Sequence, residues 1–181
     1  HGSACGCLFR RATLSDLQFT PGIYHGDELF TPQLLIRAEV VYPTQAKAYS
    51  YNKRPDSITT NQDATHIEKR HTDALQVIFE LNKMADRLPK NDQLAMDRRV
   101  AQLTMDYLYN TIIQTRSLSV TLQRIQVLRA EGLFPLPNRN YTSKYQWFRR
   151  LSNSKLGLAT LVKVLPLKSK IGRAVQQECR D

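Results

Sequence analysis

The stretch Asn138-Arg-Asn-Tyr-Thr-Ser-Lys-Tyr-Gln-Trp-Phe-Arg-Arg150 interleaves four cations with four aromatic rings. Guanidinium and ammonium groups neutralise phosphates, and flat rings give nucleobases a face to stack on. Arg139, Lys144, Arg149 and Arg150 are the expected phosphate contacts, Tyr141 and Tyr145 the stacking or positioning groups, and Arg124 with Arg129 extends the surface upstream. The same composition has a structural reading: Trp147 and Phe148, with Tyr145, anchor a short helix to a core and leave Arg149 and Arg150 in water.

A second stretch, 155–173, alternates apolar and basic residues. Leu156, Leu158, Leu161, Val162, Val164, Leu165, Leu167 and Ile171 stand against Lys155, Lys163, Lys168, Lys170 and Arg173. Such a segment can lie on an anionic membrane with its apolar side at the headgroup boundary. It can also close a helical core. Gly157 and Pro166 interrupt a long interfacial helix, which favours the core role.

Between Ser117 and Phe134, polar Ser119, Thr121, Gln123, Arg124 and Gln126 alternate with apolar Leu122, Ile125 and Leu128, ahead of Gly132. This pattern loosely resembles the last helix and first wing strand of winged-helix domains. The resemblance covers fewer than twenty residues and implies that the polar set meets base edges. It departs from that family in the preceding element, a helix of about 25 residues where the family has a short one.

Other chemistry is thin. His66 and His71 lie five apart, which does not put two imidazoles on one helix face around a metal. Cys5 and Cys7 are one residue apart, too close for an unstrained mutual disulfide and too few for a tetrahedral metal site. The expectation is free thiols, with bonding to Cys179 or acylation as routes open to an exported or membrane-bound protein. No serine or cysteine has a nucleophile setting, and no glycine-rich phosphate loop is present. The reading is a non-enzymatic protein with no metal and no cofactor.

Charge distribution points the same way. Of the formal +10, residues 121–181 supply nearly all, with 12 Lys/Arg against Glu131, Glu178 and Asp181, while residues 61–120 balance 8 against 8. A basic end on a neutral body suggests a polyanionic partner, nucleic acid first and an anionic membrane surface second. No apolar stretch approaches the roughly 20 residues that span a bilayer.

The elements that must position these groups follow from breaker placement. His1-Gly2-Ser3 reads as a tag and linker remnant. Pro21, Pro32, Pro43 and Pro55 punctuate residues 4–63, which are expected to be irregular with short strands: Gln33–Tyr42, rich in apolar and β-branched residues, pairing with Ala46–Tyr51. Asn52–Thr65 is polar and turn-rich and reads as a surface loop.

From Gly26 to Gly132 there is no glycine, and Pro89 alone breaks the chain between 56 and 134. The apolar positions Ala74, Leu75, Ile78, Leu81, Met84, Ala85 and Leu88 recur at helical spacing, as do Leu94, Ala101, Met105, Leu108 and Ile112 with Val100, Leu103 and Tyr107. An antiparallel helical hairpin over about 65–115 is predicted, since so short a link leaves no other route. Its second apolar face offers a site for a protein partner or a second copy. Further helices are expected at 118–131, 141–152 and 155–165, with 118–128 the most strand-like of them. Residues 64–165 form the helical core domain and 166–181 a basic tail. The fold class is mainly α (α+β), with the strands confined to the N-terminal region.

Overall fold

Residues Ala64–Ala85 form a helix because Asp63 starts it: its carboxylate accepts from the Thr65 and His66 N–H groups at 2.8 and 3.4 Å, and from the Thr65 hydroxyl. That arrangement satisfies donors a helix leaves orphaned in its first turn. It is seen in a computed structural model that describes residues 4–47, 49, 50, 52 and 63–178, and side chains over that range except at residues 13 and 168–178. Six α-helices are present among the described residues: α1 (Gly26–Arg37), α2 (Ala64–Ala85), α3 (Lys90–Thr115), α4 (Leu118–Ala130), α5 (Ser143–Ser152) and α6 (Lys155–Glu178). The chain is mainly helical, and no strand occurs among the described residues.

The Asp63 cap carries a pH signature. The Thr65 hydroxyl, then the Thr65 and His66 amides, hold its carboxyl down from an ordinary 3.8 to about 2. A folded-state pKa below the unfolded one means the cap contributes fully above pH 3.8 and is lost as pH falls toward 2. Amide exchange at Thr65 and His66 should therefore quicken across that window relative to mid-α2 amides. Asp63→Asn, a cap that does not titrate, should remove the dependence; an unchanged profile in that variant would assign the effect elsewhere.

Two compact units divide the chain, His1–Met96 and Asp97–Asp181, with the boundary inside α3. In the first, α1 packs on α2, burying Leu29, Phe30 and Leu34 on one side and Val77, Ile78, Leu81 and Ala85 on the other. The Phe30 ring stacks on Phe19 with centroids 4.1 Å apart. Of the predicted α2 stripe Ile78, Leu81 and Ala85 are buried while Ala74, Leu75, Met84 and Leu88 are half-buried, and Val77, Arg70, His71 and Asp73 are buried without having been expected. Asp73 is accommodated because it accepts from the Tyr24 N–H at 2.6 Å and from Lys69 at 2.8 Å. Lys69 also donates to the Gly22 carbonyl at 2.8 Å and lies over the Tyr24 ring, so the Gly22–Tyr24 turn is fastened to α2.

Here the N-terminal expectation is corrected. Gln33–Arg37 is the second half of α1 rather than a strand, and residues 38–47 continue without regular structure. Asp27 and Glu28 complement the positive end of α1, and burial of Leu29, Phe30 and Leu34 outweighs both local β-propensity and the interior Pro32. Val40, Val41 and Tyr42 are left exposed. The proposed strand partner 46–51 and the loop 52–65 fall partly outside the described residues.

The two long helices of the predicted hairpin are present, joined by Asp86–Pro89. Leu94, expected in the core, is exposed. In the second unit, Val100, Ala101, Met105, Tyr107, Leu108 and Ile112 of α3 are buried, as are Ile125 and Leu128 of α4 and Leu158, Leu161 and Val162 of α6. Buried Thr104 and Thr121 satisfy their hydroxyls on carbonyls four residues back, Val100 at 2.8 Å and Ser117 at 2.7 Å.

Helix α4 resolves the strand-or-helix ambiguity. Ser117 caps it, accepting from the Val120 N–H at 3.3 Å, and Gly132 at φ 71° closes it. The Leu133 N–H reaches the Leu128 carbonyl at 2.8 Å and Gly132 N–H reaches Arg129 at 3.1 Å, the paired bonds of a Schellman cap. Residues 133–142 hold no wing strand. The outward set of the winged-helix likeness is also rearranged, with Thr121 buried and Leu122 exposed.

Helix α6 does not stop at Pro166 but continues to Glu178, so the segment from 166 to 178 is helical rather than a loose tail. Pro166 removes one backbone donor, while burial of Leu158, Leu161 and Val162 in the preceding turns holds the helix in place.

Candidate functional site

The cation-aromatic stretch folds as a short extended run followed by α5, and burial sorts its side chains by face. Tyr141 is buried and donates to the Pro137 carbonyl at 3.3 Å, and burial raises its hydroxyl pKa above the ordinary value. The Tyr145 hydroxyl donates to both carboxylate oxygens of Asp106, at 2.9 and 3.1 Å. Phe148 meets the edge of Tyr109 at 6.2 Å. These rings attach α5 to the unit and are not presented for stacking.

The predicted cations divide in the same way. Arg139 pairs with Asp97 at 3.0 Å, and Arg124 donates to the Tyr107 hydroxyl at 3.1 Å. Arg149 is half-buried and bonds Gln146, whose amide holds the Arg139 carbonyl at 2.6 Å. Arg129 is exposed at the end of α4, over the Phe134 ring at 5.5 Å. Lys144 and Arg150 are exposed on α5. Of the eight residues assigned to nucleic acid, Arg129, Lys144 and Arg150 face solvent most freely.

What α5 does present is Trp147. Its indole is 63% exposed, with the Arg150 guanidinium 5.9 Å from the ring centroid. The structural reading of the sequence placed this ring in the core together with Tyr145 and Phe148. The structure sends those two inward and Trp147 outward, since residues two apart on a helix do not share a face and the ring at 147 lies off the side that meets α3.

Helix α6 has two faces as well. Leu158, Leu161 and Val162 are buried, whereas Leu156 is 83%, Leu167 61% and Val164 42% exposed. With Thr160 and Lys163, also exposed, these fall at i, i+4, i+7, i+8 and i+11, one stripe of the helix surface. Lys155 is exposed at its start. The side chains of Lys168, Lys170 and Arg173 lie outside the described residues. The apolar residues of both faces run together in the sequence, so it favoured the core role over the membrane role without separating the two faces.

The electrostatics reinforce the geometry. Between Glu131 and Glu178 there is no carboxylate, while nine Lys/Arg occur. Within α5 and the first 23 residues of α6 the sequence supplies no acidic side chain, Glu178 standing at the end of α6.

Among the described residues no group of three His, Cys, Asp or Glu could hold a metal ion, and no helix is long and apolar enough to cross a membrane. Cys5 and Cys7 carry free thiols. Compared with family models, curated proteins and solved structures, the chain matches none.

Proposed function

We propose that this protein attaches peripherally to an anionic membrane surface through its basic C-terminal unit, with α6 as the principal contact. The observation that carries the reading is the solvent-facing stripe Leu156, Val164 and Leu167 on a helix whose other face is already buried, in a stretch of sequence, 132–177, that holds no Asp or Glu. Apolar side chains flanked by lysine are what a headgroup boundary accepts: the methyl groups leave water and the ammonium groups reach lipid phosphate. Nucleic acid offers the same phosphate, but Tyr141 and Tyr145, the two rings expected to stack on bases, are engaged within the unit, which leaves Trp147 as the exposed ring of α5.

Co-sedimentation with phosphatidylcholine vesicles, with and without phosphatidylglycerol, tests this. Binding to the anionic vesicles that weakens with salt is expected, as is binding to single-stranded oligonucleotides that is weaker at equal phosphate. No vesicle binding at low salt, or tighter binding to the oligonucleotides, overturns the reading. Leu156→Glu and Leu167→Glu should each weaken vesicle binding about tenfold, because a leucine side chain leaving water is worth roughly 1.5–3 kcal/mol. Both positions are exposed, so thermal melts should be unchanged.

A further inference from the structure

We infer that Trp147, between Lys144 and Arg150 on the outer side of α5, is an interfacial anchor that seats this helix among the headgroups of anionic glycerophospholipids. The inference rests on the membrane reading above and adds to it a second contact, on a different helix, with a defined depth.

Three observations converge on this ring. First, α5 is only ten residues long, yet it sorts three large aromatics by destination: Tyr145 is tied to Asp106, Phe148 lies against Tyr109, and Trp147 alone is turned to solvent. The largest apolar side chain of the helix is thus available to an external surface, while the neighbouring rings are held within the unit. Second, its neighbours three residues away on either side are exposed cations, Lys144 and Arg150, and Arg150 sits over the ring at 5.9 Å. An indole with an apolar body, one N–H donor and flanking positive charge fits the headgroup level of a bilayer, where rings of this kind concentrate. Third, α5 has no carboxylate, so an anionic surface meets complementary charge along its length. The occupant this chemistry selects is a phosphodiester headgroup layer: phosphate oxygens accept from Lys144, Arg150 and the indole N–H while the ring body displaces interfacial water.

Trp147 is the single tryptophan of the chain, so its fluorescence reports this position alone. The experiment adds the intact protein to phosphatidylcholine–phosphatidylglycerol vesicles whose acyl chains carry bromine near the headgroup or near the chain end, with sedimentation measured in parallel. Expected are a blue shift of the emission and stronger quenching by the shallow bromines than by the deep ones. Trp147→Ser should sediment about tenfold less while melting like the parent, and Trp147→Phe should fall between the two. Sedimentation without blue shift or quenching overturns the anchor and leaves the α6 contact standing. Failure to sediment at all overturns the membrane reading itself. Emission changes with an oligonucleotide but none with vesicles would assign the ring to base stacking and overturn the anchor as well.

Discussion

Replacing Gly157 by alanine should cost the C-terminal unit about 2–3 kcal/mol of stability, measured by urea unfolding. The expectation runs against helix propensity, since alanine is the better helix former by about 1 kcal/mol. Contact geometry decides the sign. Gly157 sits in the first turn of α6, where a Cβ would lie 2.8 Å from the Leu151 Cα and 3.0 Å from its carbonyl carbon, and closer still to the carbonyl oxygen. Those atoms are backbone and cannot rotate away as a flexible side chain would, so the α5–α6 corner must open. Thr160→Ala, on the exposed side of the same helix, should change stability by no more than about 0.5 kcal/mol. Equal effects from the two substitutions would refute the close-approach argument.

Asn153→Ala should destabilise by a similar amount, about 2–3 kcal/mol, for a different reason. The Asn153 side chain reproduces a pair of ladder bonds: its amide donates to the Leu136 carbonyl and its oxygen accepts from the Leu136 N–H, each at 2.9 Å. Leu136 is buried, so truncation strands both of its backbone groups. Asn153→Asp gives a sharper test. It keeps the acceptor for the N–H but sets a charged oxygen against the Leu136 carbonyl, which raises the introduced carboxyl's folded-state pKa. Its deficit should then shrink as pH falls and the carboxyl gains a proton to donate. If the aspartate variant instead loses stability with falling pH more steeply than the parent, the paired-bond account is wrong.

The parts of the fold that were legible in the sequence are those with a local cause. Pro89 in a breaker-free middle and Gly132 after Ala130-Glu131 each act within a few residues, and α2 ends, α3 begins and α4 ends accordingly. The errors come where a distant contact decides. Gln33–Tyr42 has strand composition, yet burial of Leu29, Phe30 and Leu34 against α2 makes its first half helical. Pro166 reads as a stop, yet α6 runs through it on a helix already fixed by its buried face.

The candidate surface was half legible for the same reason. Charge is additive along a chain, so the basic end could be counted. Which groups on it are spent internally could not, because Tyr145 finds Asp106 39 residues away and Arg139 finds Asp97 42 residues away. For the α6 stripe and Trp147 the sequence left an exposed and a buried reading side by side, since apolar type says nothing about which face a neighbouring helix will cover.

The two-faced character of α6 has an energetic consequence for anything that lands on it. Basic apolar peptides that fold on a surface spend part of their binding free energy on ordering the backbone, roughly 1–2 kcal/mol for each residue fixed. Over Lys155–Leu167 that ordering is already complete, because Leu158, Leu161 and Val162 hold the helix from behind. The outer side chains are therefore offered as a preformed template at fixed spacing. Binding to it should leave the circular dichroism of this region unchanged and orient the whole unit as one piece.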